Sequence, residues 1–386
     1  MRPGVSAAVK ICVIGLGYIG LPTAVVLANN GSMVHGVDSN HNVVNTLNSL
    51  ELHLHEPGLK EAMTEAIHRG NLTFSTQPEN ADAYIISVQT PLEADHSPNL
   101  NYVKAATVSL LPYLKKGDLI VLESTVPPGT VEDVMLPILH QTNLRIGEDL
   151  WVAHSPERVL PGHILKELVA NDRIIGGINE MSTHMAVQLY SRFVKGIIHT
   201  TDVRTAEMVK LMENTYRDVN IAYANELARI AETVGFNVWD AIRLANSHPR
   251  VHIHQPGPGV GGHCIAVDPW FIVDRAPQQA QLIALARTIN DATPSHIVRM
   301  IESVVSHLDK PVITLLGLSF KGNIDDWRGS PSLAVNEGLQ EKGYSLRLFD
   351  PYIQHEIKGK VSSLSEAVDG SDCIIVLTDH AVFKEI

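Results

Sequence analysis

The chain has 386 residues, 45% of them hydrophobic and 19% charged, and its 42 acidic against 30 basic side chains give a net charge of −12. That length allows two or three domains, and an acidic balance without a basic block argues against nucleic acid as a partner. No apolar run approaches the length of a membrane span, the apolar residues near the start belong to a strand rather than a secretory leader, and three cysteines give no disulfide framework, so the expectation is a cytoplasmic protein with reduced thiols.

The segment VKICVIGLGYIGLPTAVVLANNGSMVHGVDSN, residues 9–40, reads as strand, tight turn, helix and second strand. Its turn, Gly15-Leu16-Gly17-Tyr18-Ile19-Gly20, matches G-x-G-x-x-G, and Asp38 closes the second strand 18 residues after the last of these glycines. The first glycine allows the turn, the second lets the backbone meet a pyrophosphate, and the third lets the helix pack closely on the strand. The helix N-terminus then faces the phosphates, and Asp38 accepts hydrogen bonds from an adenosine ribose and disfavours a 2′-phosphate. With strand, helix and acid all in place the pattern reads as an NAD site.

Strands continue at 81–91, 118–130 and 149–162, each apolar run ending in small polar residues and proline. Ligands of an open parallel sheet sit beyond the carboxyl ends of its strands. Thr90, Thr125 and Glu157 lie at such ends, although ordinary turn chemistry accounts for the threonines equally well. From about Thr205 to Val234 one long helix is expected, with no proline until Pro249. Lys210, Asn214 and Arg217 share one of its faces, and spacing alone reads them as a solvated stripe.

GPGVGGHCIAVDPW, residues 257–270, places Cys264 among glycines, whereas Cys12 in KICVIG and Cys373 in DCIIVL read as inert packing in buried strands. A core cysteine behaves as a small hydrophobe, so Cys264 reads as a cysteine placed for chemistry. His252, His254 and His263 with Cys264 offer zinc ligands on residue type alone. Zinc would occupy that same thiolate, and no metal is expected. After 306 the α/β pattern restarts, with a strand running into LGLSFKG, a strand ending in Asp350 and another at DCIIVL. The fold class expected is therefore α/β: two Rossmann-like parallel-sheet domains, 1–200 and 306–386, joined by a central helical region, 201–305, with one long helix.

The stretches GLGYIGLPTA, ESTVPPGT, HSPERVLPG, AEMVKLMENTYRDVNIAYANE, HPRVHIHQPGPGVGGHCIAVDPWF and LGLSFKGNIDDWRGSP, in this order, resemble the UDP-glucose/GDP-mannose dehydrogenase superfamily. HPRV followed by the glycine-rich loop is most similar to its UDP-N-acetyl-D-mannosamine 6-dehydrogenase branch. The sequence departs from the family pattern at Val43, Gln89 and Gly329.

The resemblance implies a four-electron, NAD-dependent oxidation of a nucleotide sugar at C6 by a homodimer. An aldehyde has no good hydride to give until a nucleophile adds to it, and a thiolate divides the oxidation into feasible steps. The resemblance makes Cys264 that nucleophile. It places Lys210 and Asn214 at the charged oxygen, and offers Glu157, Thr125 and Asp268 for activating water, Asp268 standing equally well as a carboxylate closing its turn. It implies that Arg158, Val159, Arg217, His248, Arg250, Gly261, Phe320 and Lys321 hold the UDP-sugar, Arg250 from the neighbouring subunit, and that Arg328 lies on the NAD side. The favoured substrate is UDP-N-acetyl-D-mannosamine. UDP-N-acetylglucosamine, UDP-glucose and a non-catalytic nucleotide-sugar-binding protein are the alternatives.

Overall fold

A computed structural model describes residues 9–385. Its contacts divide the chain into two compact units, Met1–Leu211 and Met212–Ile386.

Strand β1 (Lys10–Ile14) is buried at every position but Lys10, as an apolar run covered on both faces should be. Successive side chains point to opposite faces. Ile11 and Val13 accordingly join one core, while Cys12 and Ile14 join another. Helix α1 (Gly20–Asn29) leads to β2 (Met33–Val37), and α2 (His41–Asn48) and α3 (Leu59–His68) lead to β3 (Leu72–Ser75). Then follow β4 (Ala83–Ile86), α4 (Asn101–Leu110), β5 (Leu119–Leu122), α5 (Leu136–Leu139), β6 (Trp151–His154), α6 (Ile164–Ala170), β7 (Arg173–Gly177), α7 (Glu180–Tyr190) and β8 (Ile198–Asp202). The sheet runs β3-β2-β1-β4-β5-β6-β7-β8. All its pairs are parallel except β6 with β7. The sheet is parallel-dominated, as expected, with this one reversed pair. Strands β7 and β8, which the reading of strands along the sequence left out, add a parallel pair running the other way along the sheet's edge.

Helix α8 (Val203–Val234) has 32 residues, about 48 Å of helix at the usual rise. It passes from the first unit into the second. The second unit continues with α9 (Val238–Ala245), α10 (Asp268–Arg275), α11 (Gln281–Asp291) and α12 (Thr293–Val305). Then β9 (Val312–Leu316), α13 (Pro331–Glu341), β10 (Ser345–Phe349), α14 (Leu364–Val368) and β11 (Cys373–Val376) build a parallel sheet in the order β10-β9-β11. Its core packs α12 and α13 against β9 and β10 through Val298, Ile301, Ile313, Leu315, Val335 and Leu348. Strand β11 is at the sheet's edge and its burial alternates between half-buried and exposed. Cys373 is thus half-buried, not the core residue expected, because an edge strand is covered on one side only. Among the described residues no helix is long and apolar enough to cross a membrane.

Candidate active site

The three glycines of the β1–α1 turn meet different constraints. Gly15 has φ +91°, and a Cβ there would lie 2.5 Å from the Ser87 carbonyl oxygen. A Cβ on Gly20 would lie 1.8 Å from the Gly15 carbonyl oxygen. Around Gly17 a Cβ would meet nothing within 4 Å. The outer two glycines are thus required by the fold, and the middle one leaves room at the surface. Helix α1 starts with no side-chain cap and no acid in its first turn, which suits an incoming phosphate.

Asp38 follows β2 and is half-buried. Its Oδ2 accepts the Leu16 N–H at 3.0 Å and its Oδ1 the Asn40 N–H at 2.9 Å. The acid therefore shapes the glycine turn. Each carboxylate oxygen has two acceptor directions, so the same group can also meet a ribose hydroxyl. Thr90 donates its hydroxyl to the Thr125 carbonyl at 2.6 Å, tying the ends of β4 and β5 together. This bond joins two strand ends rather than closing a turn, and both threonines stay half-buried. Open room at Gly17, an uncapped helix and an acid at the second strand fit a dinucleotide.

Glu157 lies three residues beyond β6. Its Oε1 accepts the Arg158 N–H at 2.7 Å and its Oε2 a guanidinium N–H of Arg173 at 2.7 Å. Arg158 also donates to the Asp172 carbonyl at 2.6 Å. Val159 packs half-buried against the core of the first unit.

In the second unit the loop carrying Cys264 is held by its own chain. A Cβ on Gly261 would meet the Gly329 carbonyl oxygen and the Phe320 Cβ, each at 2.7 Å. Gly262, with φ +82°, faces the Phe320 ring, and its N–H donates to the Arg328 carbonyl at 3.3 Å. These two glycines therefore serve a close approach of two loops, whereas the sequence alone suggested only an approach of ligand. Cys264 itself is exposed. Its carbonyl accepts the N–H groups of Val267 at 3.1 Å and Asp268 at 2.9 Å, which starts α10 immediately beyond it. Burial, by contrast, pushes the Cys12 thiol up to about 12 and raises that of Cys373. A thiolate is the reactive form, so the two strand cysteines are chemically quiet.

Asn214 is fully buried and Asp268 nearly so. The Asn214 amide donates to the Asp268 carboxylate and accepts from the Arg217 guanidinium. A buried amide between a carboxylate and a guanidinium is no solvated stripe, and the reading from spacing is corrected here. One side of α8 turns inward at this point while Arg217 stays exposed. Lys210, one turn earlier on α8, is half-buried. His248 and Arg250 are exposed, and the Arg250 N–H meets His248 Nδ1 at 3.3 Å. Phe320 is half-buried and Lys321 exposed in the loop after β9, while Arg328 forks onto Asp326 at 2.8 and 2.7 Å. Gly329 has φ +60°, a left-handed conformation that glycine adopts freely. The rings of His252 and His254 meet edge to face at 5.7 Å.

Comparison with known proteins bears on this assembly. Three family descriptions match the chain in order: UDP-glucose/GDP-mannose dehydrogenase family, NAD binding domain, over residues 9–194; the central domain of the same family over 204–292; and its UDP binding domain over 314–386. The chain belongs to the UDP-glucose/GDP-mannose dehydrogenase family. It is an NAD-dependent nucleotide-sugar dehydrogenase, as the resemblance implied.

It is 51% identical over 383 residues to the UDP-N-acetyl-D-mannosamine dehydrogenase of Methanococcus maripaludis strain C7, covering 98% of this chain and 87% of that one. It is 47% identical over 388 residues to an NDP-N-acetyl-D-galactosaminuronic acid dehydrogenase of Ralstonia solanacearum, covering 97% and 92%. The solved UDP-D-ManNAc dehydrogenase of Pyrococcus horikoshii superposes with a TM-score of 0.92 at 43% identity, covering 98% of this chain and 91% of that one.

Two polar groups of this dehydrogenase escaped the sequence reading. Glu123 and Arg173, both buried, lie at the end of β5 and the start of β7. Charges almost never sit buried unpaired, so two charged residues beside apolar strand runs were the available signal.

Proposed function

We propose that this dehydrogenase oxidises the C6 alcohol of UDP-N-acetyl-D-mannosamine to the uronate through a covalent intermediate on Cys264, as a cytoplasmic homodimer. The observation that carries the substrate is the likeness, over nearly the whole chain, to a relative named for that sugar. The domains proposed are 1–200 for NAD, 201–305 for the central helices and catalytic loop, and 306–386 for the UDP-sugar.

NAD supplies the hydride acceptor for both oxidations. Gly15, Gly17, Tyr18, Ile19, Gly20, Asp38, Thr90 and Thr125 hold it, with Arg328 on the same side. The Cys264 thiolate adds to the C6 aldehyde, and O6 gains charge as the carbon–sulfur bond forms. Lys210 and Asn214 stabilise that oxygen, as preorganised donors do where charge develops. After the second oxidation C6 is a thioester. Glu157, with Thr125 and Asp268 as further candidates, orients the water that releases it. Arg158, Val159, Arg217, His248, Arg250, Gly261, Phe320 and Lys321 grip the UDP-sugar, the arginines through forks that match phosphate oxygens.

The test is NADH yield with UDP-N-acetylmannosamine, UDP-N-acetylglucosamine, UDP-N-acetylgalactosamine and UDP-glucose. The galacto sugar is included because a relative is named for its acid. Two NADH per sugar with the manno epimer, and little with the others, is expected. One NADH per sugar, or preference for another sugar, overturns the mechanism or the substrate respectively.

A further inference from the structure

Reversal of the sheet at β7 brings a charged residue where parallel topology would not. Pairs Ala153–Gly177 and His154–Gly176 set the antiparallel register of β6 and β7. Continued beyond His154, this register puts position 157 opposite position 173. Arg173, the first residue of β7, therefore stands beside the carboxyl end of β6, on the edge where ligands of such sheets bind.

Arg173 is only 4% exposed and is held on every side. Its Nε donates to Ser155 Oγ at 2.8 Å, one terminal nitrogen to Glu157 Oε2 at 2.7 Å, and the other to Glu123 Oε1 at 2.5 Å. The guanidinium lies 4.1 Å from the centre of the Tyr190 ring, whose hydroxyl donates to the same Glu123 oxygen at 2.7 Å. Only a planar fork serves three acceptors in these directions, which an ammonium group cannot copy. Glu157, by contrast, is on a loop, and its carboxylate is fixed by Arg173 and by one backbone N–H. One acceptor direction on each of its oxygens is left for water.

We propose that Arg173, clamped by Ser155, Glu123 and Tyr190, is the positioning residue that aims Glu157 at the hydrolytic water. The proposal rests on the reading that Glu157 acts in release of the thioester. In that step the water oxygen bonds to C6 and one proton passes by way of Glu157 to solvent. The C6–Sγ bond breaks, and Cys264 leaves as thiolate. The new carboxyl group gives its proton to solvent, and no electrons are exchanged. A carboxylate out of place slows this step and leaves both oxidations intact, so acyl-enzyme builds up.

The experiment mixes the intact enzyme with NAD and the UDP-sugar that yields NADH, quenches, and weighs the protein by mass spectrometry. Glu157→Gln tests the underlying reading and is expected to trap a covalent adduct on Cys264. Arg173→Lys is expected to trap the same adduct, to keep the initial burst of two NADH per site, and to slow steady turnover by about tenfold or more. Merely structural damage would lower burst and adduct together, and that result overturns the proposal. Ser155→Ala removes one clamp without touching a charge and is expected to raise the adduct several-fold. It decides the matter if Arg173→Lys does not fold, and wild-type adduct levels in it then overturn the proposal. If Glu157→Gln traps nothing, the reading of Glu157 fails first. If Glu157→Gln traps adduct and the folded Arg173→Lys does not, only the role of Arg173 fails.

Discussion

At the scale of single residues, the three cysteines show how setting decides chemistry. Cys12 is completely buried in β1, where burial pushes its thiol up to about 12. Cys264 is exposed, at the end of a loop whose glycines pack on Phe320. Cys264→Ser is expected to abolish formation of the uronate, on the order of 10³-fold or more, because a hydroxyl without an activating base is a poor nucleophile. Cys12→Ser is expected to keep kcat and to cost about 1–3 kcal/mol of stability for a buried hydroxyl without a partner. Product assays and thermal denaturation of both proteins check this. Uronate formation at the wild-type rate by the Cys264→Ser protein rules out the covalent route. Asn214 teaches the converse. Its residue type and helical position were plain, but its burial follows from the first residue of α10, Asp268, meeting α8 at this point.

At the scale of elements, the β1–α1 turn separates glycines the fold needs from one that leaves room for a ligand. Gly20→Ala sets a Cβ against backbone, 1.8 Å from the Gly15 carbonyl oxygen, so strand and helix must move apart. A loss of about 2 kcal/mol or more in stability is expected, in the range of overpacked cores. Gly17→Ala meets nothing in the chain and has no left-handed φ to strain it. Its stability should stay within about 0.5 kcal/mol of wild type, while KM for NAD rises tenfold or more, because a methyl group stands where a pyrophosphate approaches. Denaturant melts together with cofactor titrations measure both. Equal loss of stability in the two variants, or an unchanged KM for Gly17→Ala, contradicts this division of roles.

At the scale of the whole molecule, α8 carries the case for a dimer. Among the apolar side chains of α8, Ala222 and Ala231 are buried within the chain, Ile221 and Leu227 are half-buried, and Ile230 is exposed. The stripe that is exposed consists of Tyr216 at 55%, Tyr223 at 47% and Ile230 at 44%. They recur every seventh residue, which keeps them on one helical face. Trp239 and Leu244 on α9 add to the exposed apolar surface of the same unit. A two-fold interface that uses one patch twice is the commonest way to cover such a surface. Arg250 is exposed, as an arginine reaching into a neighbour's sugar site would be. We expect an Arg250→Ala protein and a Cys264→Ser protein, each inactive alone, to recover part of wild-type activity when mixed. Light scattering showing a monomer, or no recovery in verified mixed dimers, contradicts this.

Local patterns in the sequence determined the glycine turn, the acid at the second strand, the long helix and the singular setting of Cys264. Each depends on residues near one another along the chain: backbone freedom at glycine, the alternation of strands, the period of a helix. The helix begins at Val203, two residues before the start read from the sequence. Tertiary structure alone decided the reversal at β7, and with it the meeting of Arg173 with Glu123 and Glu157. It also decided which apolar residues of α8 stay outside, and why Gly261 and Gly262 must be glycines. Those contacts join residues from 16 to about 70 positions apart. No short-range propensity encodes them, because strand direction and loop packing are set by what covers each face once the chain has collapsed.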